Sequence, residues 1–107
     1  MNYIKEIDAF HIRQETDPLT SAAAYLWFVL MDINSRTGWK KEFPVAAPLL
    51  CAKAALSEGT FKRARKELQG KGYIHVVSRG ANRAAAYQMI SLVNDVEAAN
   101  TAQLTVE

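Results

Sequence analysis

The sequence predicts an α+β fold, mostly helical, on the strength of three observations. Apolar residues recur at helical spacing through the first half of the 107-residue chain. A capped unit then begins at Ser57, with Phe61, Ala64 and Leu68 on one stripe. Two short alternating strands, 73–78 and 85–91, follow on either side of a basic loop that contains glycine.

Residues 3–15 read as the first helix. Tyr3, Ile4, Ile7, Phe10 and Ile12 recur at three- and four-residue steps, with Lys5, Glu6, Asp8 and Arg13 opposite them. Thr16-Asp17-Pro18 ends it, because the residue before a proline disfavours helical backbone. A second helix covers about 21–36, with Thr20 or Ser21 as its N-cap and Gly38 as its stop. Its Ala22–Met31 run is apolar on every side, so it has to be covered on every side. Either the first helix and the sheet do this, or another subunit does. Trp27 and Phe28 are expected to point in different directions, so one of them can serve an oligomer contact. With Tyr3, Ile7 and Phe10 they form the candidate interface between copies.

Glu42-Phe43-Pro44-Val45 suits a short edge strand, since proline cannot donate to a central ladder. Ala47 to Leu56 predicts a third helix with Leu49, Leu50 and Ala54 inward, and Ser57 to Gly72 a fourth. Residues 94–107 carry no Lys or Arg and no sustained apolar period, which suggests a tail or linker after a domain spanning 1–93.

The composition narrows the function classes. Half of the residues are apolar and 22% are charged, a globular balance. One cysteine, Cys51, allows no internal disulfide and no cysteine-based zinc site, and its apolar neighbours predict a small buried residue. The Ala22–Met31 run falls short of the roughly 20 residues a bilayer requires. The acidic start MNYIKEIDAF lacks the apolar core of a secretory signal, so a cytoplasmic protein is expected. His11 and His75 lack metal-ligand spacing, and no paired carboxylates, nucleophile elbow or phosphate-cradling glycine loop stands out. The expectation is a protein that is not an enzyme and holds no metal or cofactor.

Charge is unevenly placed. From Ser57 to Arg83 seven cations face two acids, a local charge of +5 against +2 for the whole chain, which leaves −3 elsewhere. Such a block fits either a solvated helix face or the electrostatic footprint of a polyanion. The turn Leu56-Ser57-Glu58-Gly59 and the stripe Phe61-Ala64-Leu68 decide in favour of the second. They let two helices meet across a tight turn, with small Ala64 permitting close approach, and they leave Thr60, Lys62, Arg63, Lys66 and Gln69 bare. Gly72 then releases the chain into a strand, and Ser78-Arg79-Gly80-Ala81-Asn82-Arg83 forms a basic tip.

This is the pattern of a winged helix-turn-helix, here with an extra N-terminal helix and a two- to three-stranded wing sheet. The recognition helix, about 58–70, is expected in the major groove of double-stranded DNA. Ser57 and Thr60 lie at its start, and the Thr60 hydroxyl or amide can meet a phosphate. Arg63 is the candidate for bidentate contact to guanine, with Lys62 and Lys66 as phosphate clamps. Arg79, Asn82 and Arg83 of the wing would reach the backbone or minor groove.

A narrower resemblance lies in the N-terminal words. MNYIKEIDAF, the pairs Leu26-Trp27 and Leu30-Met31, Gly38-Trp39, Phe43 with Val45, and Asn82-x-Ala84-x-x-Tyr87-x-Met89-Ile90 resemble the N-terminal domain of DnaD-like replication initiation proteins of phages and plasmids. The resemblance covers about residues 1–92. It implies a role in DNA replication initiation, self-association as a dimer or higher homo-oligomer, and a replicative helicase or its loader as partner. Longer members carry a second, C-terminal helical domain. With this sequence ending at Glu107, the resemblance implies an excised or stand-alone N-terminal domain. The alternatives are an oligomerisation module of a replisome organiser, in which the winged helix is not committed to DNA, and a transcriptional regulator.

Overall fold

A computed structural model describes residues 1–93; the tail or linker expected over 94–107 lies outside them. The described residues form four helices and three strands. They are α1 (Tyr3–Gln14), α2 (Ser21–Arg36), β1 (Phe43–Val45), α3 (Ala47–Ala54), α4 (Glu58–Gly70), β2 (Ile74–Val77) and β3 (Ala85–Met89). The architecture is therefore α+β and mostly helical. The backbone divides into two units, Met1–Pro18 with the segment from Ser91, and Leu19–Ile90.

In the first unit α1 is capped by Asn2, whose Oδ1 accepts from the Lys5 amide at 3.1 Å. Its buried row is Glu6, Ala9 and Phe10, at steps of three and four, and this corrects the sequence expectation. Ile4 is 74% exposed and Ile12 is also outside, while Glu6, placed by the sequence on the polar side, is buried. Its carboxylate accepts from the Ser91 hydroxyl and the Leu92 amide, both at 2.7 Å. Two short bonds to an anion offset the cost of taking a charge out of water. The partners lie more than eighty residues away, so helical periodicity carries no trace of them.

The second unit is organised around α2, which packs against α3, α4 and β3. Ala23, Leu26, Trp27, Val29, Leu30 and Met31 are buried. The unit thus covers most of the all-apolar run by itself, leaving Tyr25 54% exposed and Phe28 half-buried. Trp27 and Phe28 do not point apart as expected: their rings meet edge to face, with centroids 5.0 Å apart. Thr20 caps the helix by accepting from the Ala23 amide.

The sheet has the order β1-β3-β2 and is antiparallel throughout. β1 pairs only with β3, placing Pro44 on an edge strand opposite Ala86, where its missing N–H costs the ladder little. On the face towards the helices, Phe43 and Val76 lie opposite Tyr87, and Ile74 lies opposite Met89.

α3 is shorter than its sequence suggested. It stops at Ala54 because Ala55 adopts the left-handed conformation (φ 55°, ψ 44°), and the Leu56 amide turns back to donate to the Cys51 carbonyl. Its buried row is Leu50 and Ala54, one turn apart, whereas Leu49 is 48% exposed. Cys51, expected buried, is half-buried. A non-glycine residue at Ala55 carries backbone strain of about 1–2 kcal/mol. Ala55→Gly is therefore expected to raise unfolding free energy by roughly 0.5–1 kcal/mol, after the added freedom of the unfolded chain is subtracted. Urea denaturation followed by circular dichroism measures this; a loss of stability would show that the strain is absent.

Candidate nucleic-acid interface

The second unit brings α4 and the β2–β3 hairpin together, and with them most of the chain's basic block. α4 begins as the sequence indicates. Ser57 Oγ accepts from the Thr60 amide at 3.2 Å and donates to Thr60 Oγ1 at 2.9 Å. Phe61, Ala64 and Leu68 are buried, so one stripe of the helix is committed to the core and the rest faces outward.

Thr60 does not have the free amide proposed for it, because that N–H is spent on the Ser57 cap. Its hydroxyl is also engaged, accepting from Arg63 Nη2 at 3.2 Å. Arg63 is exposed, and this contact lays its guanidinium over the start of α4. Lys62 pairs with Glu58 at 3.2 Å across one helical turn, but both ends are well exposed, so the pair adds little stability and opens readily. Lys66 is exposed and, like Arg79 and Arg83, pairs with no acid among the described residues.

The second acid of the block, Glu67, is turned away. It accepts from the Thr20 amide at 3.0 Å and the Thr20 hydroxyl at 2.8 Å, with Lys71 at 3.7 Å. A carboxylate there also complements the positive end of α2. Glu67 thus joins α4 to the N-terminus of α2, a role its place in a charged run did not reveal. Gln69, expected as a bare polar residue, accepts from the Val76 amide at 3.0 Å and ties α4 to the outer edge of β2.

The hairpin tip turns at Gly80 and Asn82, with φ of 96° and 63°. The Arg83 amide donates to the Gly80 carbonyl at 3.4 Å. A positive φ at the third turn residue is what glycine and asparagine tolerate. Arg79, Asn82 and Arg83 are all exposed. Between α4 and the hairpin lies a trough of about 580 Å³, lined by Lys62, Arg65, Lys66, Gln69, Gly70, Val76, Ser78 and Ala85. Its lining holds three cations and no acid.

Arg65 was not singled out from the sequence. It is half-buried, its Cζ lies 5.0 Å from the Phe61 ring centroid, and Nη1 donates to Tyr87 Oη at 3.2 Å. The only sequence signal for it is its place four residues after Phe61 on the helix.

Of the residues proposed for contact between copies, Tyr3 and Ile7 are half-buried, while Phe10 and Trp27 are 2% and 1% exposed. Phe10 and Trp27 therefore belong to the interior and not to a free surface. Phe28 lines a shallow cleft of about 250 Å³ with Tyr25, Val29, Asp32 and Lys53. Among the described residues no group of His, Cys, Asp and Glu side chains could hold a metal ion, and no helix is long and apolar enough to cross a membrane. Comparison of the chain with protein-family models, with curated proteins and with solved structures found no match.

Proposed function

We propose that this chain is a winged helix-turn-helix module that binds double-stranded DNA, with α4 in the major groove and the tip 79–83 on the backbone or minor groove. The observation that carries this reading is the sorting of charge. The two acids of the basic block are engaged, Glu58 by Lys62 and Glu67 by Thr20, while Lys62, Arg65 and Lys66 line one trough and Arg63, Arg79 and Arg83 stand exposed on α4 and the hairpin tip. A helix with one buried stripe and a bare cationic face can enter a groove about 12 Å wide and hold phosphates on either side. The order α3, turn, α4, hairpin is compatible with the fold. The N-terminal resemblance favours replication initiation of the DnaD type, in the cytoplasm, with a helicase or loader as further partner.

Binding is expected to weaken steeply with salt. Each neutralised phosphate contributes about −0.9 to the slope of log K against log salt, so five or six cations give a slope of roughly −5. Lys66→Ala should make that slope shallower by about one unit, and Arg63→Ala should cost ~1–3 kcal/mol on a cognate site only. Fluorescence anisotropy with duplexes from around the gene itself checks both. Affinity and slope unchanged in both variants would refute the assignment of α4.

A second reading, self-association, is supported by the exposed Tyr25 beside Phe28 and Val29 on the outer side of α2. If copies meet there, Tyr25→Glu should convert a dimer or larger species to monomer in sedimentation at micromolar concentration. A wild-type chain that is already monomeric would rule this reading out.

A further inference from the structure

Arg65 stands apart from the other cations of α4 because it is half-buried and fixed. Its guanidinium lies against the Phe61 ring and donates through Nη1 to Tyr87 Oη. Tyr87 is itself held: it is 1% exposed, sits in the central strand, and packs on Phe43 with ring centroids 6.2 Å apart. A guanidinium carries five N–H donors in a planar fork and cannot shed its charge. Among the described residues Arg65 has one hydrogen-bond acceptor, the neutral phenol, and no carboxylate partner. Of the nearby acids, Glu67 is held by Thr20, and Glu58 lies beside Arg65 but makes only an exposed pair with Lys62. A partly desolvated cation without a counter-ion is costly, which favours an anion at this position.

The trough beside it defines the shape of that anion. It runs between α4 and the hairpin, adds Lys62 and Lys66 to Arg65, and has Val76, Ser78 and Ala85 on the hairpin side. At about 580 Å³ it is far larger than one phosphate and open along its length, so it suits a run of linked phosphates.

We infer that Arg65 is the phosphate anchor of the trough, taking the two non-bridging oxygens of one backbone phosphate of a duplex strand in its fork, and that Tyr87 is a positioning residue that pre-orders it. This rests on the DNA-binding reading and sharpens it. The strand backbone lies between helix and hairpin, and its fixed point is a residue whose orientation comes from the sheet. Lys62 and Lys66, exposed and flexible, supply charge on either side. A side chain held in place before binding loses less freedom on binding, so removing one hydroxyl from the sheet should weaken DNA binding without altering the charge count.

Anisotropy of a labelled duplex against the full chain, between about 50 and 200 mM salt, tests this. Arg65→Gln is expected to weaken binding about tenfold and make the salt slope shallower by about one unit. Arg65→Lys should keep the slope and recover only part of the affinity, because an ammonium lacks the fork. Tyr87→Phe should keep both the slope and the fold, read by circular dichroism, and lose roughly threefold in affinity, near the lower end for a single hydrogen bond. Arg36→Gln, an exposed cation on α2 outside the trough, should bind like wild type.

If wild type binds duplex and Arg65→Gln matches it in affinity and slope, the anchor is wrong while the DNA reading stands. Equal losses for Arg36→Gln and Arg65→Gln would reduce the effect to net charge and overturn the inference. A weakened Arg65→Gln beside an unchanged Tyr87→Phe removes the positioning role. Should Arg65→Gln fail to fold, Arg65→Lys and Tyr87→Phe decide, and wild-type affinity in both overturns the anchor. A wild type that binds no duplex overturns the reading and the inference together.

Discussion

α4 has three side chains, Phe61, Ala64 and Leu68, with which to hold itself on the unit, and the rest of the site depends on that stripe being seated. Burying more of the helix would hide its cations; burying less would leave it loose, since a thirteen-residue helix is marginal on its own. Around the stripe are three polar ties that fix the helix without covering its outer face. Ser57 caps its start, Glu67 grips the N-terminus of α2 through Thr20, and Gln69 holds the edge of β2. Each tie uses a side chain that leaves the helix beside the apolar stripe. The consequence is a helix fixed from one side and bare on the other.

The same ties sort the charges. Glu67 would cancel a cation if it faced into the trough, but its contact with α2 keeps it out of the trough's lining. Tyr87 does the complementary job for Arg65, holding a cation at the trough instead of leaving it to the solvent. The sheet therefore contributes to the surface in two ways: it carries the exposed tip with Arg79, Asn82 and Arg83, and through its central strand it orients a residue on a helix.

How much of this was legible in the sequence follows from how local each cause is. α2 and the N-terminus of α4 are legible because Thr20, Gly38 and Ser57 act on backbone within a few residues. The alternation of β2 is equally local, but the register that sets Val76 opposite Tyr87 is fixed by the paired strands and not by either one alone. The buried row of α3 is not legible because eight residues are too few to define a stripe, so the sequence does not distinguish Leu49 from Leu50. The carboxylate of Glu6, the grip of Glu67 and the setting of Arg65 depend on partners 85, 47 and 22 residues away, which no local pattern encodes. Trp27 read as a possible surface contact because its run is apolar all round, and only the packing of α3, α4 and β3 on α2 shows it to be interior.

The central claim is that α4 and the hairpin form one face that takes duplex DNA. Amide chemical shifts recorded by nuclear magnetic resonance during titration with a short duplex test it most directly. The account predicts that the perturbed amides cluster at 57–70 and 76–85, with the α2 face around Tyr25 unmoved. Shifts centred on Tyr25, Phe28 and Lys53, or none at saturating duplex, would contradict it.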